Sequence, residues 1–331
     1  MAKLHEQLGI DLQVIDTTLR EVILTDRELD DDSVVRSGVL HLIDAGGKRL
    51  RPLLVIVGSR FGKLMRRRPV LKAAAIAEYI HMASLIHDDI IDEADCRRGA
   101  PTLHKLTDIP TAVLTGNYMM ARVMEWATEG VPEREPDASQ QRRSEPLADV
   151  SELCIGEYHQ LHNRFNFDLS MELYLDKTRR KTALLLALCL QAGADASGAD
   201  SRTSELLYQF GEALGLAFQI RDDVLDFTAP QASIGKPAGA DLRNGNITLP
   251  VLYALEDPEL SASIRALGPE AEPQAFDDVI TQIAASSAIS RCHAQVAAYS
   301  ERALALADQL AWHPASPQLQ VLARYFLPSQ H

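Results

Sequence analysis

Two aspartate clusters of identical spacing, Asp88-Asp89-Ile90-Ile91-Asp92 and Asp222-Asp223-Val224-Leu225-Asp226, are the residues of this chain best suited to chemistry. Each follows an apolar run, His81-Met82-Ala83-Ser84-Leu85-Ile86-His87 before the first and Leu214-Gly215-Leu216-Ala217-Phe218-Gln219-Ile220 before the second. On a helix, positions i and i+4 share a face, so Asp88 stacks near Asp92 and Asp222 near Asp226. Carboxylates crowded in this way repel one another unless cations neutralise them. Hard oxygen donors suit Mg²⁺, which binds through a few carboxylates plus substrate phosphates. Two such patches, facing each other, would hold a metal-bridged diphosphate. A single D-D-x-x-D on a helix is most often a solvated acidic face; two of them, each embedded in apolar sequence, argue for a site. The D-x-D-x-D-G alternation of a calcium-binding loop is missing.

Positive residues lie where such a ligand would need them. Gly46-Gly47-Lys48-Arg49-Leu50-Arg51-Pro52 ends one helical pattern and exposes Lys48 and Arg51, three apart, on the next turn. Arg97-Arg98-Gly99 lies just beyond Asp92, Lys181-Thr182 opens an apolar helix, and Lys236 sits in the loop after Asp226. Taken singly, each has a plainer role: a solvated basic turn, a helix cap, or, for His81 and His87, a satisfied core histidine. Together they suit two diphosphates, one chelated through metal by both acidic clusters and one gripped directly by guanidinium and ammonium groups.

The elements that must position these groups read as helices. Hydrophobic content is 46% with only 5% aromatics, a balance rich in Ala and Leu that favours helix over sheet. Val35, Leu40, Leu42 and Ile43 precede the Gly46-Gly47 stop, and Pro52 to Val57 opens another apolar segment. Helices are expected over Ala73–Ile91, Ile109–Trp126, Leu147–Leu161, Met171–Ala192, Ser204–Phe227 and Leu249–Leu255, with C-terminal ones near Phe276–Ala284, Ile289–Leu310 and Leu319–Phe326. The proline-rich polar stretch 129–146 reads as a surface loop or disordered excursion, and Thr228–Thr248 as a loop. No strand-turn-strand alternation is visible. The expectation is an all-α fold, a single domain over 1–331.

Lys+Arg 33 against Asp+Glu 46 gives a net charge of −13, which argues against a nucleic-acid partner. Cys96, Cys154, Cys189 and Cys292 show no CxxC pairing, so reduced thiols and a cytoplasmic setting are expected. The N-terminus has no apolar signal region, and the stretch Ala183–Leu190 is too short to span a bilayer.

Five segments in order, GGKRLRP (46–52), HMASLIHDDIIDEADCRRG (81–99), RKTA (180–183), FQIRDDVLDF (218–227) and GKPAGADLRNGNITLP (235–250), resemble the trans-isoprenyl diphosphate synthases, most closely the long-chain bacterial branch of heptaprenyl type. The resemblance implies a helical bundle around a deep central cavity. It also implies a Mg²⁺-dependent condensation of isopentenyl diphosphate with an allylic diphosphate, farnesyl or geranylgeranyl, for quinone side chains. Asp88, Asp92 and Asp222 would ligate metal, three ions per active site, with Asp89, Asp223 and Asp226 behind them. Arg97, Lys181 and Lys236 would contact the allylic diphosphate; Lys48, Arg51, His81 and Arg98 would grip isopentenyl diphosphate. Thr182 and Gln219 would offer oxygen dipoles to the allylic cation, and Phe218 an aromatic face. A homodimer is implied, or pairing with a small regulatory subunit, and transient membrane association through the product.

Helix geometry bears on product length. Ser84, Ala83, Ile80, and Ala77 or Ile76 precede Asp88 by four, five, eight and eleven or twelve positions, and face the direction in which a growing chain descends. Small upper residues leave that path open, so a long product, around heptaprenyl, is expected. Several positions depart from the wider family: Asn246 stands where many members carry lysine, Asn117 where aspartate is common, and Gln160 where short-chain members have an acid. The 129–146 segment is long, and the tail 324–331 lacks a basic end. Three rivals are a terpene cyclase or head-to-head synthase, which has no use for GGKRLRP; a geranylgeranyl-type synthase; and a catalytically weak or silent subunit, which has no physical need for both clusters.

Overall fold

Apolar residues recurring every three or four positions fold nearly all of the described chain into helices. The structure is a computed structural model that describes residues 3–64, 66–128, 146–229 and 237–327. Its contacts gather into two compact units, Met1–Val150 with Cys189–Ser204, and Ser151–Leu188 with Glu205–His331.

The first unit contains α1 (Leu4–Gln7), α2 (Leu12–Leu24), α3 (Val34–Asp44), α4 (Leu50–Ser59), α5 (Arg67–Ile91), a hairpin of β1 (Cys96–Arg97) and β2 (Ala100–Pro101), α6 (Leu103–Leu106) and α7 (Ile109–Thr128). Asp11 and Ser33 cap α2 and α3 by accepting backbone N–H bonds from Gln13 and Arg36. The axis of the unit is α5, whose 25 residues run about 37 Å. It packs on α4, α7 and α2 through Ala74, Ala75, Ala77, Met82, Ala83 and Ile86. Small side chains let the neighbours approach closely, and Tyr79 secures the contact: its ring meets the edge of Trp126 at 5.2 Å and its hydroxyl donates to Leu19 O at 3.0 Å.

The second unit contains most of α8 (Pro146–His162), α9 (Met171–Thr178), the start of α10 (Leu184–Ala196), whose remainder from Cys189 belongs to the first unit, α11 (Ser201–Thr228) from Glu205 onward, α12 (Ala240–Arg243), α13 (Leu249–Ala254), α14 (Pro258–Arg265), α15 (Pro273–Ala285), α16 (Ser287–Asp308) and α17 (Pro317–Phe326). Tyr174, Ile220, Val224, Phe227, Leu249, Ile280 and Cys292 belong to one buried cluster at its centre. Asp257 and Ser286 cap α14 and α16, and prolines open α14, α15 and α17.

The all-α expectation holds, with local corrections. The expected helix from Ala73 begins at Arg67. The expected Met171–Ala192 helix is interrupted by a π-helical turn, Arg179–Ala183. Helices α2 and α14 were not expected, although α2 carries Leu12, Ile15, Leu19 and Ile23 at helical spacing behind the Asp11 cap. Two-residue strands are too short to show alternation, which is why the β1–β2 pairing escaped notice. By length and composition α5, rather than Ala183–Leu190, is a helix that could cross a membrane, yet half of that window is buried against its neighbours. Residues 129–145 of the expected loop lie outside the described residues.

Candidate active site

The last turn of α5 presents the first acidic cluster. Asp92 caps the helix, its N–H bonded to Asp88 O at 2.8 Å. Asp89 points the other way: it is 3% exposed and accepts from Arg97 Nε at 2.5 Å. Asp88 remains half-buried and Asp92 exposed. Arg97 reaches Asp89 because the chain reverses at Glu93 (φ 51°) and again at Arg98 and Gly99 (φ 54° and 81°), two left-handed residues that close the hairpin.

The glycine-rich turn before α4 is organised by Arg49, a residue the sequence reasoning passed over. Arg49 adopts a left-handed backbone (φ 49°) and is buried. Its guanidinium bonds to Asp16 Oδ1 at 2.8 Å, Glu78 Oε1 at 3.2 Å and Ile43 O at 2.7 Å, tying the turn to α2, α3 and α5. Arg98 donates to Gly46 O, and a Cβ on Gly47 (φ 149°) would collide with the Arg98 guanidinium. Arg51 Nη1 donates to His81 Nε2 at 3.0 Å. Burial, and then the nearby cations Arg51, Arg98, Arg97 and Arg49, hold the His81 pKa well below its ordinary value, so the ring is neutral and accepts that bond. Burial also lowers Arg51. Lys48 is exposed beside this group. The unit therefore gathers Arg51, His81, Arg97 and Arg98 into one positive surface next to Asp88. His87, from the same helix, is accommodated by Gly116 of α7 and reads as packing.

In the second unit, α11 carries the other cluster with the same division of labour. Asp222 is 45% exposed at its side chain, whereas Asp223 and Asp226 are buried. Asp223 accepts from Tyr174 Oη at 2.6 Å and Gln219 Nε2 at 2.9 Å. Burial, with the charge of Asp241 adding to it, raises Asp223 to about 7. Asp226 Oδ2 accepts the N–H of Asp241 at 3.1 Å, fixing the start of α12.

Thr182 donates to Gln219 Oε1 at 2.9 Å, so a chain of bonds runs from Thr182 through Gln219 to Asp223. Thr182 and Lys181 lie in the π turn, a distortion frequent at functional sites, where Gly156 of α8 approaches their backbone closely. Lys181 Nζ pairs with Glu157 Oε2 at 2.6 Å, a partner that sequence reasoning did not supply. Phe218 meets the edge of Phe326 at 5.2 Å and lies under Arg221, whose guanidinium donates to Phe326 O at 2.5 Å. The C-terminal helix, with Arg324 in its last turn, is thereby pinned over this aromatic residue.

Sequence reasoning also missed Tyr174 and Lys177. Lys177 is buried near Asp223 and Asp241, and its ammonium lies 5.4 Å from the Tyr174 ring. It lines a cavity of about 190 Å³ with Gln160, His159, Leu169 and Asn246. The spacing Tyr174, Lys177, Lys181 (i, i+3, i+7) was the available signal. Lys236 lies outside the described residues.

Along α5, Ser84 is exposed, Ile80 and Ile76 are half-buried, and Ala77 and Ala83 are buried, Ala83 completely. The face through Ser84, Ile80 and Ile76 therefore continues open from Asp88 toward the helix N-terminus, while Ala83 is enclosed.

Two helical acidic clusters of the same spacing, each with cations near it in its own unit, fit a class of diphosphate-handling helical enzymes. Residues 32–283 match the polyprenyl synthetase family, and the chain belongs to it. It is 44% identical over 288 residues to heptaprenyl diphosphate synthase component 2 of Geobacillus stearothermophilus, covering 86% of this chain and 87% of the relative. Heptaprenyl diphosphate synthase from Staphylococcus aureus superposes with a TM-score of 0.85 at 34% identity, covering 99% of this chain and 100% of that one. Polyprenyl synthase from Caulobacter crescentus, solved with calcium and isoprenyl diphosphate, gives 0.83 at 31% identity, covering 99% and 98%. The protein is a prenyltransferase that makes long-chain polyprenyl diphosphates, in a Mg²⁺-dependent family.

Proposed function

We propose that the chain elongates farnesyl or geranylgeranyl diphosphate with isopentenyl diphosphate to heptaprenyl diphosphate, with both acidic clusters and both units serving one reaction as a single catalytic domain. The observation that carries this reading is the sorting of six carboxylates. Asp88 is half-buried, Asp92 exposed and Asp222 45% exposed at its side chain, whereas Asp89, Asp223 and Asp226 are buried and held by Arg97, Tyr174, Gln219 and the Asp241 N–H.

Such a donor set fits hard cations. Among the described residues no three His, Cys, Asp or Glu side chains form a cage by themselves, so the first three aspartates would share three Mg²⁺ ions with phosphate oxygens. The buried Oδ1 of Asn246 and Oγ1 of Thr248 have no hydrogen-bond partner among the described residues, and they suit a bound polar ligand. When bound, the metal neutralises the departing diphosphate and so favours cleavage of the allylic carbon–oxygen bond.

The chain's own residues do the rest. Arg97, Lys181 and Lys236 add positive charge toward that diphosphate. Lys48, Arg51 and Arg98, with neutral His81, hold isopentenyl diphosphate without metal. Thr182, oriented by Gln219, turns its lone pairs to the developing cation, and Phe218 offers its face. The proton lost after carbon–carbon bond formation passes to the released diphosphate. The tail grows along Ser84, Ile80 and Ile76, none of which is aromatic. A cytoplasmic setting, with either homodimerisation or another component of the kind that "component 2" in the Geobacillus relative's name implies, completes the reading.

Mg²⁺-dependent incorporation of labelled isopentenyl diphosphate into farnesyl diphosphate, followed by chromatographic sizing, tests it. A heptaprenyl product is expected; a product that stops at geranylgeranyl would transfer the chain to the shorter-product class.

A further inference from the structure

Charge in this chain is strongly segregated. Between Arg60 and Ala77 there are six cations, Arg60, Lys63, Arg66, Arg67, Arg68 and Lys72, and no acid; with the chain at −13, the remainder carries −19. Arg60 is committed to structure, donating to Leu8 O at 2.7 Å. Lys63, Arg66, Arg67 and Arg68 are exposed, and so is Leu64, at 44%.

The loop that presents them is fixed in place. Leu64 N–H bonds to Ser197 O at 2.9 Å, and Gly62 lies so close to Ser197 that a Cβ there would clash. Arg66 is the N-cap residue of α5, without a side-chain cap, and Arg67 and Arg68 stand in its first turn, where no acid balances them. That is the end of a helix where cations are disfavoured and where backbone N–H groups lack partners. Three arginines there cost stability and build an anion-attracting surface.

A groove of about 490 Å³ adjoins them, lined by Arg67, Arg68, Leu71 and Lys72 of α5 together with Val22 and Trp126, with Glu21 as the one acid in its lining. Basic side chains beside exposed leucine and a tryptophan match the layered chemistry of a bilayer surface, anionic headgroups outside and apolar chains beneath.

We propose that the N-terminal end of α5 docks on the anionic surface of a lipid bilayer. The consequence for catalysis rests on the reading above. The open face of α5 runs from Asp88 through Ser84, Ile80 and Ile76 toward Arg67, so a lengthening apolar tail travels toward the end of the helix that meets the membrane.

Co-sedimentation with vesicles, using the full chain without substrates, tests the docking separately from the reaction. Binding is expected to vesicles containing phosphatidylglycerol, weakly or not at all to pure phosphatidylcholine, and is expected to fall as salt is raised. Each basic residue near such a surface contributes roughly fivefold in partitioning (about 1 kcal/mol), so R66Q/R67Q/R68Q is expected to bind about 100-fold more weakly. Its prenyl transfer in detergent and its Trp126 emission should match wild type. Equal binding to both vesicle types, no binding at low salt, or an unaltered triple variant overturns the proposal. If the variant instead abolishes self-association of the chain, the patch belongs to a second copy and the bilayer assignment is overturned.

Discussion

Replacing Arg49 by methionine is expected to unfasten the glycine-rich turn from α5, at a cost that can be worked from its contacts. The guanidinium and the Glu78 carboxylate are both 2% exposed at their side chains, and Glu78 Oε2 has no hydrogen-bond partner among the described residues. Removing one member of a buried pair strands the other charge, typically at about 3–5 kcal/mol. Arg51 lies close enough to soften this electrostatically, which places the expectation for R49M near 3 kcal/mol. E78Q removes one charged hydrogen bond but leaves Arg49 with Asp16 and Ile43 O, for about 1.5–3 kcal/mol.

The double variant R49M/E78Q has no stranded charge. It should cost no more than R49M alone, where simple additivity predicts roughly 4.5–6 kcal/mol. Urea unfolding followed by tryptophan emission reads this in a W312F background: the chain has two tryptophans, Trp312 is exposed, and Trp126 meets Tyr79 edge-to-face in the unit concerned. The KM for isopentenyl diphosphate should rise in R49M, because Lys48, Arg51 and the Arg98 contact to Gly46 all depend on that turn. Stability effects that add to within about 0.5 kcal/mol would show that Arg49 and Glu78 act independently, and the anchoring role would be lost.

Tyr174→Phe keeps the ring but removes the bond to Asp223; by analogy with other residues that orient ligands, it should weaken Mg²⁺ binding about 10–100-fold by calorimetry with a diphosphate analogue, with D222N weakening it further. If Y174F binds metal as wild type does, the Asp223 network does not support the site. Gly47→Ala should displace Arg98 and raise the KM for isopentenyl diphosphate while leaving that for the allylic primer little changed; equal changes in both would refute the assignment. Burial pushes the Cys189 and Cys292 thiols up to about 12, so at pH 8 both stay protonated and enclosed, and a thiol reagent should titrate only exposed Cys96 and Cys154 until denaturant is added. Rapid modification of all four would contradict the packing. Ser84→Phe, on the exposed face of α5, should shorten the product by chromatography without loss of fold, whereas Ala83→Phe must overpack a closed position at about 1–3 kcal/mol. An unaltered product from S84F would remove the tail from this face.

The sequence by itself determined the all-helical class, most helix spans and the identity of the six aspartates, because helical period and carboxylate spacing are local properties of the chain. It also marked Lys48, Arg51, Arg97, Arg98 and Lys181 as cations near phosphate. Only tertiary structure decided which carboxylate of each cluster turns inward. Asp88 and Asp89 are neighbours of the same type, and what separates them is Arg97 arriving from the hairpin; Asp223 differs from Asp222 because Tyr174, from another helix, reaches it. Arg49, passed over in the sequence, is carried by a left-handed backbone into the interior against Glu78. The π turn at Lys181 and the enclosure of Ala83 were equally hidden. Such features depend on partners distant in the chain, and burial and electrostatics exist only once those partners have met.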